Sequence, residues 1–287
     1  MTRPLVLKFG GELLDDPTRL ETVVAATSAI VAAGGPIVIV HGGGKEIDVA
    51  LKRAGIDKQQ VDGVRVTDDA TLDVVVAVLA GAVNTRLVAA LNAAGVPAVG
   101  LTGADAHCGL AVAAPPHRAV DGRVVDLGRV GVPESDSDTR LLETLMDDRF
   151  VPVVACIGAT RTGELLNVNA DSLAGHLAAR LGAERLLLAG TTAGVLDEAG
   201  ATIASFDVGA IAELVTRRTV TAGMIAKLRA GEAALANGVE EVVIVDGRDR
   251  AALVAAATSG APASATRIVK SARDERVRER AWIERRA

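Results

Sequence analysis

The sequence predicts an α/β protein with a mainly parallel, open central sheet and helices on both faces of that sheet. Short, continuously apolar segments alternate almost throughout with longer segments whose apolar residues recur at helical spacing. Strands that are apolar on both faces are typical of a parallel sheet covered by two helical layers. Glycines follow three of these strands, at 10–11, at 42–44 and at 103, where α/β proteins bind their ligands.

The first hundred residues give three repeats of strand and helix. Apolar strands are predicted within residues 4–11, 36–44 and 96–103. Helices that close with a glycine are predicted within residues 18–35, 45–55 and 69–95. We expect the third helix to be broken near Gly81, because glycine is a poor helix former.

The alternation is interrupted once and then resumes. Residues 109–132 carry Asp121-Gly122 between alternating residues, which indicates a hairpin, and a second hairpin is predicted around 194–206. Further strands are predicted within residues 150–158, 183–190 and 239–247. Further helices are predicted within residues 138–149, 169–182, 208–218 and 223–238, with a short helix after the last strand.

Composition excludes several classes of function. The net charge of -5 provides no basic field for nucleic acid, and four aromatic residues in the whole chain cannot stack many bases. The apolar run near residues 71–83 is bracketed by Asp73 and Asn84, so we expect a buried helix there rather than a membrane span. The N-terminus does not match a signal peptide, and Cys108 and Cys156 match no metal motif, so we expect a cytoplasmic protein with free thiols.

Two segments at strand ends indicate an anion site. Lys8 interrupts an apolar strand, where a buried ammonium group needs an anion, unless its chain reaches solvent at the sheet edge. Gly42, Gly43 and Gly44 follow the next strand and precede a helix, so their backbone N–H groups can approach an oxyanion. A tight turn would explain one glycine more easily than three. The segment fits neither the P-loop nor the dinucleotide fingerprint.

Three more segments carry candidate ligands. Arg65 in "GVRVTDD" could clamp a carboxylate, or could simply be solvated. In "NVNAD", Asn167 offers a donor amide and either Asn169 or Asp171 could cap the next helix, but capping does not explain all three residues. Lys227 in "TAGMIAKL" lies near a helix start, where an exposed lysine is also common.

These segments, in this order, resemble the amino acid kinase family. The resemblance runs from about residue 4 to residue 268 and includes "KFGG", "IVHGGGKEID", "GVRVTD", "DLGRVG", "NVNAD", "AGVLD" and "GMIAKL". Members with these motifs phosphorylate the γ-carboxylate of N-acetyl-L-glutamate with ATP, in arginine biosynthesis. The resemblance therefore implies an ATP-dependent kinase whose product is an acyl phosphate.

The resemblance also assigns the catalytic groups. It implies that Lys8 and Lys227 flank the γ-phosphoryl group, and that Asp171 holds both lysines in place. Gly11 and Gly44 would direct N–H groups at the phosphoryl oxygens. A carboxylate acceptor is already ionised at pH 7, so no general base is needed, and we expect His41 to fix the glycine turn instead.

The remaining ligand roles follow the same pattern. The resemblance implies an acyl-amino-acid site formed by Gly43, Gly44, Arg65 and Asn167. It implies a nucleotide site, with Mg²⁺ carried on ATP and no dedicated metal ligands, formed by Lys8, Gly10, Gly11, Thr191, Gly194, Met224 and Lys227. Thr191 stands where the family usually has aspartate, and Ala222 and Ala106 also depart from the family pattern. These departures affect the expected nucleotide contacts more than the catalytic residues.

The resemblance further implies two lobes and a small assembly. An N-terminal lobe, 1–178, would bind the acyl amino acid and dimerise; a C-terminal lobe, 179–270, would bind ATP; the charged tail, 271–287, receives no function. Relatives that respond to arginine carry an extra helix before the first strand. We therefore expect a homodimer without arginine inhibition.

Two alternatives stay open at this point. A sister kinase of another acylated amino acid, such as an N-acetylated or carrier-linked aminoadipate, differs by groups worth about 1–3 kcal/mol in discrimination. A non-catalytic homologue that binds the ligand or a partner would lose Lys8, Asp171 or Lys227, and all three are present.

Overall fold

The computed structural model describes residues 3–216 and 221–271. The described residues form sixteen strands: β1 (Leu5–Phe9), β2 (Ile37–His41), β3 (Gln60–Val61), β4 (Val64–Arg65), β5 (Ala98–Thr102), β6 (Ala111–Ala113), β7 (His117–Arg118), β8 (Val124–Val125), β9 (Val130–Pro133), β10 (Val151–Ala155), β11 (Ile157–Ala159), β12 (Leu165–Val168), β13 (Arg185–Gly190), β14 (Ser205–Asp207), β15 (Glu241–Asp246) and β16 (Thr266–Val269).

The same residues form nine α-helices: α1 (Pro17–Ala33), α2 (Gly44–Arg53), α3 (Asp69–Val76), α4 (Asn84–Ala93), α5 (Arg140–Asp147), α6 (Ala170–Arg180), α7 (Ile211–Thr216), α8 (Ala222–Ala236) and α9 (Arg250–Thr258). Short 3-10 turns and one π-helical segment complete the described helical structure: Gly11–Leu13, Ala77–Val83, Asp105–His107 and Val208–Ala210.

Eight strands form the central sheet, in the order β14-β16-β15-β13-β1-β2-β10-β5. Every neighbouring pair is parallel except β15 and β16, so the predicted mainly parallel sheet is confirmed. β1 lies in the middle, with Lys8 opposite Val40 on one side and Leu188 on the other. The carboxyl ends of β1, β2 and β13 therefore meet at one edge, and this edge carries the glycines.

Helices cover both faces because successive strand residues point in opposite directions. Val6 packs into one buried cluster that includes residues of α2, α3, α6 and α8. Its neighbour Leu7 packs into the opposite cluster with residues of α1, α4 and α9. These two apolar clusters sandwich the sheet, as the apolar strands predicted.

A second sheet of four strands, in the order β11-β12-β9-β6, lies beside the central sheet, and two short hairpins pair β3 with β4 and β7 with β8. The β7–β8 hairpin turns near Gly122, whose φ is 89°, and confirms the hairpin predicted within 109–132. The second predicted hairpin reduces to one antiparallel bridge between Leu196 and Thr202. β12 and the antiparallel β16 were not predicted.

The helix predicted within 69–95 is not broken at Gly81, so that prediction was wrong. α3, the π-helical segment and α4 form one continuous helix, in which the wider π turn accommodates the glycine region. By length and composition alone, Asp69–Ala93 could cross a membrane, with a mean hydropathy of 2.0. One side packs on the core through Leu79, Val83 and Leu87, which are buried.

Two further predictions concern the boundary between the lobes and the charged C-terminal tail. The proposed boundary between residues 178 and 179 falls in the last turn of α6. Apart from Ser271, the charged tail of residues 271–287 lies outside the described residues.

Candidate active site

Three charged residues from three elements meet at the glycine-rich edge of the sheet. Lys8 comes from β1, Asp171 from the first turn of α6 and Lys227 from α8. The side chain of Asn169 caps α6 by accepting hydrogen bonds from the backbone N–H groups of Asp171 and Ser172, at 2.9 and 3.1 Å. Because Asn169 supplies the cap, the Asp171 carboxylate is left to face the lysines.

The Asp171 carboxylate lies between the two ammonium groups. Lys8 Nζ is 2.8 Å from Oδ1 and Lys227 Nζ is 3.8 Å from Oδ2. Burial opposes the charge on Lys8, but the attraction of Asp171 outweighs it and raises the pKa of Lys8. Burial also opposes ionisation of Asp171, yet the charges of Lys8 and Lys227 lower its pKa. Burial, followed by repulsion from Lys8, lowers the pKa of Lys227.

The two glycine turns touch each other backbone to backbone. A Cβ on Gly11 would lie 2.6 Å from Cα of Gly43 and 3.0 Å from the backbone nitrogen of Gly44, so a side chain at Gly11 is excluded. Gly43 in turn packs on Leu79, since a Cβ there would lie 2.8 Å from its Cδ2 atom. A Cβ on Gly44 would meet nothing within 4 Å. The turns thus combine a rigid contact with an open face, which suits an anion cradle.

His41 anchors the second turn from inside the core. Its Nδ1 atom lies 3.2 Å from the carbonyl of Gly42, and Asn84 Nδ2 lies 3.0 Å from its Nε2 atom. The amide of Asn84 also donates to the carbonyl of Val153, at 2.9 Å, so Nε2 acts as the acceptor and Nδ1 as the donor. Burial lowers the pKa of His41 to about 4. A neutral, fully buried imidazole is poorly suited to shuttling protons at pH 7.

Arg65 is buried at the end of β4 and faces the same region. Its Nη2 atom donates to Asp48 Oδ1, at 2.5 Å, and to the carbonyl of Gly44, at 3.3 Å. Its Nη1 atom is buried and has no hydrogen-bond acceptor in the part of the chain that the structure describes. A buried guanidinium with an unused donor pair is a ready site for a carboxylate.

Asn167 reaches the Arg65 segment through one hydroxyl group. Its Nδ2 atom donates to Thr67 Oγ1, at 3.1 Å, and Thr67 Oγ1 donates to the carbonyl of Arg65, at 3.0 Å. β12, which carries Asn167, pairs with β9, and Arg129 next to β9 donates its backbone N–H to Thr67. The second sheet therefore positions Asn167 beside the Arg65 loop.

A cavity of about 600 Å³ opens at this edge of the sheet. Its lining brings four basic side chains together with two acidic ones and the glycine turn: Glu12, Arg19, Gly44, Lys45, Asp48, Gln60, Arg65, Thr191 and Arg248. The volume is in the range of small-molecule sites. Lys45 is largely exposed and lies 3.6 Å from Asp15, so the lysine that follows the glycines is distinct from the buried pair.

Sequence reasoning missed Glu12, which links the cavity to the lysines. Its carboxylate oxygens lie 2.5 Å from the point where a Cβ on Gly10 would be, and Oε1 lies 3.2 Å from the corresponding point on Gly190. Gly10 therefore leaves room for this carboxylate over the ends of β1 and β13. The only signal in the sequence was an acidic residue directly after the paired glycines.

The residues predicted to bind the nucleotide in the C-terminal half, Thr191, Gly194 and Met224, do not all line the cavity. Thr191 follows β13 and lines the cavity. Within residues 3–216 and 221–271, the cavity lining includes the predicted site residues Gly44, Arg65 and Thr191. It does not include the other predicted site residues: Lys8, Gly10, Gly11, Gly43, Asn167, Asp171, Gly194, Met224 and Lys227. Gly194 packs against Thr266, whose hydroxyl accepts the N–H of Val195 at 2.8 Å, and Met224 is buried in the core. These contacts explain both residues without a ligand, so their nucleotide role stays a prediction.

The arrangement is suited to holding anions rather than to nucleophilic attack by a side chain. Burial raises the pKa of both Cys108 and Cys156 to about 12, so neither thiol ionises near pH 7. Across the described ranges, no group of three or more His, Cys, Asp and Glu side chains could hold a metal ion by itself. What remains is a set of cations and backbone amides, with the Asp171 carboxylate shared by two lysines, which can stabilise charge that develops on a transferred phosphoryl group.

Comparison with protein families gives a match over most of the chain. Residues 3–246 match the model described as the amino acid kinase family. The chain is 41% identical over 248 residues to the acetylglutamate kinase of Sphingopyxis alaskensis, covering 85% of this chain and 82% of that protein. It is 38% identical over 258 residues to the acetylglutamate kinase of Parvibaculum lavamentivorans, covering 88% and 84%.

Solved structures agree on the fold. The N-acetylglutamate synthase of Neisseria gonorrhoeae, complexed with coenzyme A and N-acetyl-glutamate, superposes with a TM-score of 0.78 at 25% identity. The match covers 94% of this chain but 60% of the synthase, which is the longer protein. The carbamate kinase of Giardia superposes with a TM-score of 0.65 at 16% identity, over 94% of this chain and 99% of that one, and supports the fold alone.

Proposed function

The chain belongs to the amino acid kinase family, and from that premise we propose that it transfers the γ-phosphoryl group of ATP to the γ-carboxylate of N-acetyl-L-glutamate. The products are N-acetyl-L-glutamyl 5-phosphate and ADP, in the second step of arginine biosynthesis. One observation carries the proposal: Lys8 and Lys227 converge on Asp171 beside two glycine turns, and Gly44 of these turns lines a cavity together with Arg65.

Lys8 and Lys227 supply most of the catalysis. As the phosphoryl group leaves ATP, charge is spread over its equatorial oxygens, and two fixed ammonium groups stabilise that charge better than water does. Asp171 keeps both ammonium groups in place without touching the reacting atoms. The backbone N–H groups of Gly11 and Gly44 complete the cradle, which the close contact between the two turns makes rigid.

The acceptor side needs orientation rather than activation. The γ-carboxylate of the substrate is ionised at neutral pH and can attack phosphorus directly. Arg65, through its unused Nη1 donors, would bind the α-carboxylate, and Asn167 would bind a neighbouring group. Gly43 and Gly44 would form the wall between the two substrates. Binding both reactants in one cavity then makes the transfer effectively intramolecular.

Nucleotide binding belongs to the C-terminal half in this proposal. The central sheet divides into β5, β10, β2 and β1 from residues before 156 and β13, β15, β16 and β14 from residues after 184. This division supports lobes at 1–178 and 179–270. Thr191, Gly194 and Met224 would lie along the ATP side, with Gly10 and Gly11 near the phosphates. Mg²⁺ would arrive on ATP and offset the phosphate charge when bound.

We also propose that the protein is a cytoplasmic homodimer. β5 is an edge strand, with no neighbour on its outer side within the described parts of the chain. The adjoining helix exposes small residues, including Ala77, Gly81 and Ala82, which let a second copy approach closely. Sedimentation equilibrium should give the mass of two chains. A monomeric mass would contradict this part of the proposal.

The alternatives have less support. The relatives named above are acetylglutamate kinases, so a kinase of acylated aminoadipate is not favoured. A non-catalytic homologue is not favoured either, because Lys8, Asp171 and Lys227 are present and in contact distance.

A coupled ADP-release assay tests the proposed function. N-acetyl-L-glutamate, L-glutamate, L-aspartate and N-acetyl-L-aminoadipate are offered in parallel with MgATP. We expect turnover with N-acetyl-L-glutamate well above the other three. Turnover with none of them would contradict the kinase activity, and preference for the aminoadipate would replace the substrate.

A further inference from the structure

Glu12 places a negative charge where the proposed function requires a negatively charged substrate. The residue lies in the 3-10 turn that follows β1, is partly buried and lines the cavity. Its carboxylate covers the carboxyl ends of the two central strands, next to Gly10 and Gly190. The phosphates of ATP would be bound at these same ends.

The carboxylate also lies close to the lysine pair. The point where a Cβ on Gly190 would lie is 3.2 Å from Glu12 Oε1 and 3.9 Å from Lys227 Nζ. The charge of Glu12 attracts the ammonium groups of both Lys8 and Lys227. Together with Asp171, these side chains carry two positive and two negative charges, so the charge of the two lysines is offset at the strand ends. The net positive charge of the cavity comes from the basic side chains of its lining.

A carboxylate beside a triphosphate is unfavourable unless a cation lies between them. Mg²⁺ commonly binds one or two carboxylates together with substrate phosphate oxygens, and does not need a cage of protein ligands. The oxygen ligands available at this end of the cavity fit this kind of Mg²⁺ site. No protein cage is found in the described ranges, and one accessible carboxylate stands at the phosphate end of the cavity.

We propose that Glu12 is a ligand of the Mg²⁺ ion that accompanies ATP. This inference rests on the proposed function. It gives the metal a protein anchor in addition to the nucleotide phosphates, and it explains how a carboxylate at the strand ends is compatible with a bound triphosphate. Arg19 supports the geometry, because its guanidinium donates to the backbone carbonyl of Glu12 at 2.9 Å and holds the turn in place.

Calorimetric titration with the non-hydrolysable analogue AMP-PNP tests the inference without catalysis. The Kd is measured with MgCl₂ and again with EDTA, and the ratio of the two values defines the magnesium coupling factor. In Glu12→Gln we expect this factor to fall roughly 10-fold or more relative to wild type. The Kd in EDTA should stay the same or decrease, because a charge that repels the phosphates is lost.

Matched variants separate this effect from a general loss of charge. Glu21→Gln removes the same charge from the exposed face of α1 and should keep the wild-type factor. Glu12→Asp keeps a carboxylate on a shorter chain and should keep part of the coupling, and it replaces Glu12→Gln if that variant does not fold. Titration of Mn²⁺ followed by EPR, with AMP-PNP present, should show weaker Mn²⁺ binding in Glu12→Gln.

The magnesium coupling factor of Glu12→Gln and AMP-PNP binding by the wild-type protein test different proposals. An unchanged coupling factor in Glu12→Gln overturns the inference, including the case in which AMP-PNP binds more tightly by the same factor with and without Mg²⁺. That case would show that Glu12 only neutralises the lysines. Failure of the wild-type protein to bind AMP-PNP at all would instead overturn the proposed function.

Discussion

The ammonium group of Lys8 lies 2.8 Å from one oxygen of Asp171, and the other oxygen of that carboxylate lies 3.8 Å from the ammonium group of Lys227. One buried acid thus holds one buried and one partly buried base, from a strand and from a helix more than two hundred residues apart in the chain. Removing Asp171 leaves both ammonium groups without their shared partner, whereas removing either lysine leaves the carboxylate with the other one.

Replacing either lysine should reduce the rate rather than substrate binding alone. We expect Lys8→Ala and Lys227→Ala each to lower kcat by a factor on the order of 10² or more, since both act on charge that develops in the transition state. Steady-state kinetics with MgATP and N-acetyl-L-glutamate measures this. Lys52→Ala, on an exposed site at the end of α2, should leave kcat unchanged. An unchanged kcat in Lys8→Ala would remove that lysine from the mechanism.

Asp171→Asn should lower the free energy of unfolding of the protein as well as kcat. Two like charges would remain buried together, and breaking a buried pair costs about 3–5 kcal/mol. Urea unfolding at pH 7 measures the free energy of unfolding, with the exposed Asp57→Asn as control.

The pKa of Asp171 is lowered in the folded protein, so its stabilisation is present at neutral pH and is lost as pH falls below about 4. Equal stability of Asp171→Asn and wild type at pH 7 would contradict the ion-pair account.

Two glycine substitutions should separate folding from catalysis. Gly11→Ala forces a methyl group to 2.6 Å from the Cα atom of Gly43, so we expect lower stability and lower kcat together. Gly44→Ala has free space, so thermal unfolding should be unchanged, whereas the methyl group projects into the cavity and should impair turnover. Full activity in Gly44→Ala would mean that no substrate passes close to that residue.

Arg65→Ala should weaken binding of the acceptor and leave ATP binding intact. Loss of a charged hydrogen-bond donor costs about 1.5–3 kcal/mol, so KM for N-acetyl-L-glutamate should rise roughly 10- to 100-fold. KM for ATP is the internal control, and Arg53→Ala on the exposed end of α2 is the matched variant. A rise in KM for ATP alone would contradict this role, because it would mean that Arg65 binds ATP and not the acceptor.

Acidification should expose the contribution of His41 to stability. Its pKa is lowered to about 4 in the folded protein, whereas the unfolded chain takes up the proton near pH 6.5. Stability is therefore full above pH 6.5 and is lost as pH falls towards 4, by about 3 kcal/mol for this residue. Urea unfolding from pH 7 to pH 4.5 measures the loss. The pH dependence should be smaller in His41→Gln, and an identical dependence would contradict the assignment.

Much of the fold could be predicted from the sequence because its strands are uniformly apolar and glycines mark their ends. Six of the eight strands of the central sheet follow from this pattern. The exceptions are β14, a short strand at the sheet edge, and β16, which lies between β14 and β15 and runs antiparallel to β15. Gly81 does not break its helix, because the tertiary contacts of Leu79 and Val83 keep the helix continuous through a π turn.

The site was harder to predict, for a physical reason. Lys8, Asp171 and Lys227 could be linked to each other by family resemblance, but their ion pairs join distant segments that no local pattern connects. Asn84 was considered only as a polar residue in an apolar helix, and its bond to His41 depends on how that helix packs. In the sequence Glu12 is an acidic residue in a turn, and only the fold places its carboxylate over the ends of β1 and β13.

Trapping the acyl phosphate tests the central claim most directly. The protein is incubated with MgATP, N-acetyl-L-glutamate and hydroxylamine, which converts an acyl phosphate to a hydroxamate and inorganic phosphate. We predict the γ-hydroxamate of N-acetyl-L-glutamate in an amount equal to the ADP formed, and very little of either with Lys8→Ala. ADP formation without hydroxamate would contradict phosphoryl transfer to the carboxylate.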